Sequence, residues 1–131
     1  MNRFQLFILL FFITLCIQSQ KNDIKIKTTK LSDQVYMLKG SGGNIALFVG
    51  DDAIFMIDDQ FAPLTPKILN AIKTITDKEV NYLLNTHWHG DHTGGNENMK
   101  KEGAVILAHE NVRKRMSVNQ IVRGKLKKAS A

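Results

Sequence analysis

A layered α/β domain, of the α+β kind with helix-covered sheets, is the fold class this sequence predicts. Three observations carry it. Short apolar runs at residues 44–49, 53–57, 80–84 and 104–108 are bounded by turn residues, the pattern of sheet strands. The early runs follow one another directly, as in a meander, while the later ones alternate with helical patterns. With 131 residues and 44% hydrophobic side chains, the chain has the length of one small domain and the composition of a globular one.

The elements follow in order. Residues 24–28 alternate apolar and polar, which reads as a half-buried strand. Residues 35–39 form a second short strand, stopped by Gly40, Ser41, Gly42 and Gly43. The runs 44–49 and 53–57 are joined by Gly50, Asp51 and Asp52, a hairpin signal. Thr65 and Pro66 mark a helix start, a capping hydroxyl followed by proline at the first helical position. Ile68, Leu69, Ile72 and Ile75 fall on one face of that helix. The runs 80–84 and 104–108 read as strands buried inside a sheet. Helices are expected around residues 96–101 and about 110–116.

The first residues stand apart. Arg3 is the only charge before Lys21, and among residues 6–17 only Thr14 is not apolar. A membrane span needs about 20 apolar residues, so this run is too short for a stable one. A positive start, a short apolar core and a polar exit describe a secretory signal peptide over residues 1–19, with the domain spanning residues 23–131. Two alternatives are a buried N-terminal helix and a lipid-modified Cys16, the latter disfavoured by the bulky Leu15 before it. Cys16 is the single cysteine, so no disulfide framework exists within the chain, and an exported, periplasmic or secreted protein without disulfides is expected.

The net charge of +6 does not belong to the domain. From Arg113 onward there are seven basic residues and no acidic one, and that tail contains no aromatic residue. A nucleic-acid partner would call for a basic face with interleaved aromatics or a recognisable motif, so none is expected. The tail reads as a solvated basic helix followed by a frayed end.

One segment carries chemistry. Residues 85–96 read Asn85, Thr86, His87, Trp88, His89, Gly90, Asp91, His92, Thr93, Gly94, Gly95 and Asn96, and they hold three of the four histidines in the chain. At this composition, His-x-His-x-Asp-His arises by chance roughly 2 times in 10,000. The spacing suits a metal. Side chains two apart on extended backbone point the same way, so His87 and His89 can share one ion. Gly90 lets the chain turn sharply, and Asp91 and His92 then face a second position. Zinc accepts such nitrogen and carboxylate donors, and one or two ions are expected. Trp88 reads as a packing residue.

These residues resemble the signature of the metallo-β-lactamase fold superfamily. Supporting similarities lie at Gly42, Gly43 and Asn44, at residues 55–59, and at residues 108–112, all in family order. The resemblance implies the N-terminal half of a metallo-β-lactamase-like αββα sandwich and a zinc-dependent hydrolase of a small-molecule substrate. It places His87 and His89 on the first metal and Asp91 and His92 on the second. It implies that Asp91 also orients or activates the attacking water, and that a metal-bound hydroxide acts on an acyl-type bond. Asp58 would orient a ligand histidine from behind, with Asp59 beside it open to the same task. An oxygen or nitric-oxide reductase on this fold usually shows glutamate where this chain has His89.

Members complete both metals with later histidines, whereas here only His109 follows the motif, at a strand-to-helix join that implies a structural role. A truncated copy is therefore expected, with an uncovered apolar face that favours self-association. The alternative to a hydrolase is a non-catalytic exported zinc-binding or interaction fragment. Export predicts a mature N-terminus near Gln20 or Lys21; sequencing that finds Met1 intact on protein recovered from the cell envelope would count against it.

Overall fold

The computed structural model describes residues 23–122 and 124–129. The expected signal peptide and Cys16 lie outside the described residues. The core is a six-stranded sheet of β1 (Lys27–Lys30), β2 (Val35–Lys39), β3 (Asn44–Val49), β4 (Ile54–Ile57), β5 (Tyr82–Asn85) and β6 (Val105–Ala108), in that spatial order. The first four strands form an antiparallel meander, and β4, β5 and β6 run parallel. Parallel neighbours need crossovers. A 3₁₀ turn (Ala62–Leu64) and α1 (Thr65–Lys73) join β4 to β5, while α2 (Gly90–Thr93) and α3 (Asn96–Lys101) join β5 to β6. After β6 come α4 (Glu110–Met116) and a hairpin of β7 (Gln120–Val122) and β8 (Lys125–Lys127).

Register divides the sheet into two faces. Leu47, Met56, Leu83 and Ile106 are consecutive partners across β3 to β6. With Leu38, Ile45 and Ile54 they meet Ile68 and Ile72 of α1 and Met99 of α3 in one buried cluster. The opposite face carries two further rows: Phe48, Phe55, Tyr82 and Val105, and Ala46, Ile57, Leu84 and Leu107. Phe55 stacks on Tyr82 at 4.9 Å between ring centroids. Phe48, Ile57, Val105 and Leu107 on that face are nevertheless exposed.

Several expectations are corrected. The ladder of β1 starts at Lys27, later than the alternation at residues 24–28, although Ile24 and Ile26 do pack against the core. Thr65 does not cap its helix. It lies within α1, and its hydroxyl accepts a hydrogen bond from Asn98 Nδ2 at 3.3 Å. Strand β6 is not buried within the sheet, because it is an edge strand and its outer side chains face the open side. The basic tail begins in the expected helix, α4, but β7 and β8 pair antiparallel beyond it in place of a frayed end.

Parallel register sets up the site. Ile57 partners Leu84, and the Asp58 N–H donates to the Leu84 carbonyl at 2.8 Å. The C-terminal ends of β4 and β5 therefore finish side by side, where open sheets place their ligands.

Candidate metal centre

Asp58 is the first residue past β4, buried, with a left-handed φ of 62°. Its carboxylate receives three hydrogen bonds. Oδ1 accepts from the Thr86 N–H at 2.8 Å, and Oδ2 accepts from the Thr86 hydroxyl at 2.7 Å. His92 Nδ1 lies 2.7 Å from Oδ2. A carboxylate only accepts, so Nδ1 carries a proton, and in the neutral imidazole the lone pair is then on Nε2.

Asp59 is turned elsewhere. Its Oδ1 accepts from the Gly95 N–H at 3.0 Å, and its own N–H donates to the His92 carbonyl at 3.2 Å. Among the described residues Oδ2 has no partner. Burial above all, with the negative Asp58 next to it, pushes the Asp59 carboxyl up to about 7 against the opposing Gly95 hydrogen bond. Of the two aspartates, it is thus Asp58 whose carboxylate touches a motif histidine.

The motif spans the end of β5 and the short helix α2. Asn85 closes β5 and donates to the His92 carbonyl at 3.1 Å, while its own Oδ1 accepts from Asn96 at 2.8 Å. The Thr93 hydroxyl bonds back to the His89 carbonyl at 3.0 Å. These bonds bring the four motif donors together in two pairs. His87 Nε2 lies 3.2 Å from His89 Nδ1, and His92 Nε2 lies 3.5 Å from Asp91 Oδ2. The pairs adjoin, with the His87 and His92 rings 3.9 Å apart. Burial, followed by the neighbouring His92 and His89, lowers the His87 pKa and favours its neutral form.

Such spacing fits a divalent cation. Two donors on one tetrahedral zinc, each bonded at about 2.0–2.2 Å, sit about 3.4 Å apart. Neutral imidazoles with unprotonated nitrogens and an ionised carboxylate are the donor chemistry that zinc takes. Yet among the described residues no three or more His, Cys, Asp or Glu side chains close on a single ion. The donors suit metal, but each pair is short of the three protein ligands usual at catalytic zinc.

Two features of the wall have little signal in the sequence. Gly43 lies on the His92 ring, where a Cβ would stand 2.7 Å from Nε2. Gln60, fully buried at a φ of 58°, donates from Nε2 to the Gly43 carbonyl and accepts the Ser41 N–H at 3.2 Å. It thereby clamps the glycine loop against the site. Gly90, expected to provide a sharp turn, is instead the first residue of α2, and a Cβ there would meet nothing within 4 Å. Several other glycines are crowded, among them Gly42, at a φ of 97° with a Cβ position 2.8 Å from Asp91 Cβ, and Gly94, which lies against the Gln60 carbonyl. His109 caps α4, its Nδ1 accepting the Asn111 N–H at 3.1 Å. Trp88 is half-buried between the His89 ring, at 4.9 Å, and the Arg115 guanidinium, at 5.8 Å from its centroid.

The profile of the metallo-β-lactamase superfamily matches residues 38–130. The chain belongs to the metallo-β-lactamase superfamily. This metallo-β-lactamase-fold chain is 31% identical over 83 residues to a Beta-lactamase-like protein 2 homolog of Caenorhabditis elegans, a match covering 56% of the chain. It spans only 28% of that relative's length. Among solved structures it is similar to BJP-1, a subclass B3 metallo-β-lactamase of Bradyrhizobium japonicum, with 26% identity and a TM-score of 0.66. That match covers 78% of this chain and 40% of BJP-1. MEM-A1, a subclass B3 metallo-β-lactamase from a soil metagenome library, shares the fold with a TM-score of 0.70 at 23% identity, over 81% of this chain and 43% of its own. The six-stranded mixed sheet and its helices are thus part of the metallo-β-lactamase fold. Superfamily members bind divalent metals, typically zinc. Among the described residues no helix is long and apolar enough to cross a membrane.

Asp59 gives the metal-free fold a pH dependence. Its carboxyl titrates near the ordinary 3.8 when unfolded and at about 7 when folded. Between those values the unfolded chain ionises and the folded one resists, so stability falls as pH rises through that window. Asp59→Asn keeps an acceptor for Gly95 and cannot ionise. In urea titrations with chelator it is expected to gain stability relative to the parent at about pH 8 and not at about pH 4; an equal difference at both would contradict this origin.

Proposed function

We propose that this chain carries the metal-binding part of an exported metallo-hydrolase that acts on a small-molecule acyl bond, such as an ester, thioester or lactam. The observation that carries this reading is the approach of the four donors in two adjoining pairs, at 3.2 Å and 3.5 Å. In it, His87 and His89 hold one divalent cation and Asp91 and His92 the second, zinc being the best match to the donors. A cation held there supplies Lewis acidity toward the scissile carbonyl and acidifies water. Asp58 holds the His92 proton on Nδ1, which keeps Nε2 directed at the site. Asp91, whose side chain is 37% exposed, keeps one face of its carboxylate open to the substrate side and orients the attacking water. Gly43 leaves room for the His92 ring, which a Cβ there would strike.

A second reading, a zinc-binding fragment without catalysis, is favoured by one observation: among the described residues no three or more His, Cys, Asp or Glu side chains close on a single ion. The chain spans 28% of the length of the Caenorhabditis elegans relative and 40% of BJP-1. Zinc titration with turnover assays on generic esters and thioesters separates the two. Binding is expected in the parent chain and its loss in the His87→Ala, His89→Ala double variant; unchanged metal content in that variant would refute the assignment. Turnover by the parent supports the hydrolase, and binding without turnover supports the fragment.

The open sheet face has a physical consequence of its own. The rows through Phe55 and Leu84 place apolar side chains against water, which favours association of copies. Sedimentation velocity is expected to show species above the monomer, reduced by Leu84→Glu. A monomer at every concentration would rule this out.

A further inference from the structure

We infer that Thr86 is a positioning residue for the metal centre: its hydroxyl relays the Asp58 carboxylate to His87 and fixes that imidazole as the Nδ1–H tautomer. The inference rests on the metal reading above for its purpose, but its geometry stands by itself. A threonine hydroxyl has one proton and two lone pairs. Thr86 Oγ1 lies 2.7 Å from Asp58 Oδ2, and an ionised carboxylate can only accept, so the hydroxyl proton is spent there. Thr86 Oγ1 also lies 3.0 Å from His87 Nδ1. With no proton left to give, the oxygen accepts, and His87 must donate from Nδ1. Its Nε2 is then bare, and it is Nε2 that faces His89 Nδ1 at 3.2 Å.

The hydroxyl is well held although Thr86 is exposed. The same residue's N–H bonds Asp58 Oδ1 at 2.8 Å, so Thr86 grips both carboxylate oxygens at once. One carboxylate therefore sets two imidazoles, one in each donor pair: His92 directly, and His87 through a hydroxyl. An Asp58–His92 contact alone would leave the other pair free to choose its tautomer. Groups that orient metal-binding histidines in this way typically alter affinity by about 10–100-fold when removed.

The test uses the full chain labelled with ¹⁵N-histidine, first metal-free, with imidazole nitrogens read by long-range ¹H–¹⁵N correlation. His87 is expected as the Nδ1–H tautomer in the parent and in Thr86→Ser, which retains the hydroxyl. In Thr86→Val, which replaces the hydroxyl with a methyl, His87 is expected to lose its single tautomer and zinc affinity to fall about tenfold, with Thr86→Ser close to the parent. A folded Thr86→Val that keeps the Nδ1–H tautomer overturns the inference. Should that variant fail to fold, the parent spectrum decides, because an Nε2–H His87 there overturns it as well. A parent chain with Nδ1–H His87 that takes up no zinc would uphold the hydroxyl relay and refute the metal reading instead.

Discussion

The buried Asp58 carboxylate is the point on which the described site depends. A charge taken out of water is costly unless its lone pairs are occupied. Here two donors from Thr86 and one from His92 occupy them, and hydrogen bonds to ionised acceptors are among the stronger ones. These bonds tie the end of β4 to two later pieces of chain, the residue after β5 and α2, which are 28 and 34 residues further on. Removing the carboxylate would leave three donors facing one another, so the metal-side geometry and local folding are coupled through one residue.

Backbone strain supports that arrangement. Asp58 and Gln60 both adopt left-handed conformations, at φ of 62° and 58°, which non-glycine residues take up only when their surroundings require it. The two turns aim Asp58 toward the motif, Asp59 toward Gly95, and Gln60 toward the glycine loop. Each side chain is answered by backbone groups from another segment. The unpartnered Asp59 oxygen is where this tight wall is least well satisfied, and its raised pKa follows from that burial.

The sheet has two unequal faces. One is sealed by α1 and α3 through Ile68, Ile72 and Met99, and gives β4 and β5 the rigidity that the site needs. The other presents stacked aromatics and branched side chains to solvent. The motif side chains lie at the sheet's end, beside the C-terminal ends of β4 and β5. The number of donors is another matter: the described residues bring together pairs, not the triads of a finished zinc site.

Local chemistry made most of the architecture legible in the sequence. The runs at 44–49 and 53–57 with their Gly-Asp-Asp turn predicted the β3–β4 hairpin, because turn residues and apolar alternation act over a few residues. The histidine-rich motif was legible for the same reason: ligand spacing of two and three residues is a local property, and its similarity to the metallo-β-lactamase signature agrees with the family match over residues 38–130. Whatever depended on distant contact was not legible. Choosing Asp58 over Asp59 required a left-handed turn and the β4–β5 register. The role of Gly43, and the absence of one for Gly90, depended on which side chain lies across the gap. Gln60 and Thr86 carry no distinguishing pattern, since their task is to connect segments 17 and 28 residues apart. Residue type and spacing determined what chemistry the chain can offer; only tertiary packing decided which atoms meet, because hydrogen bonds and steric exclusion act through space and not along the chain.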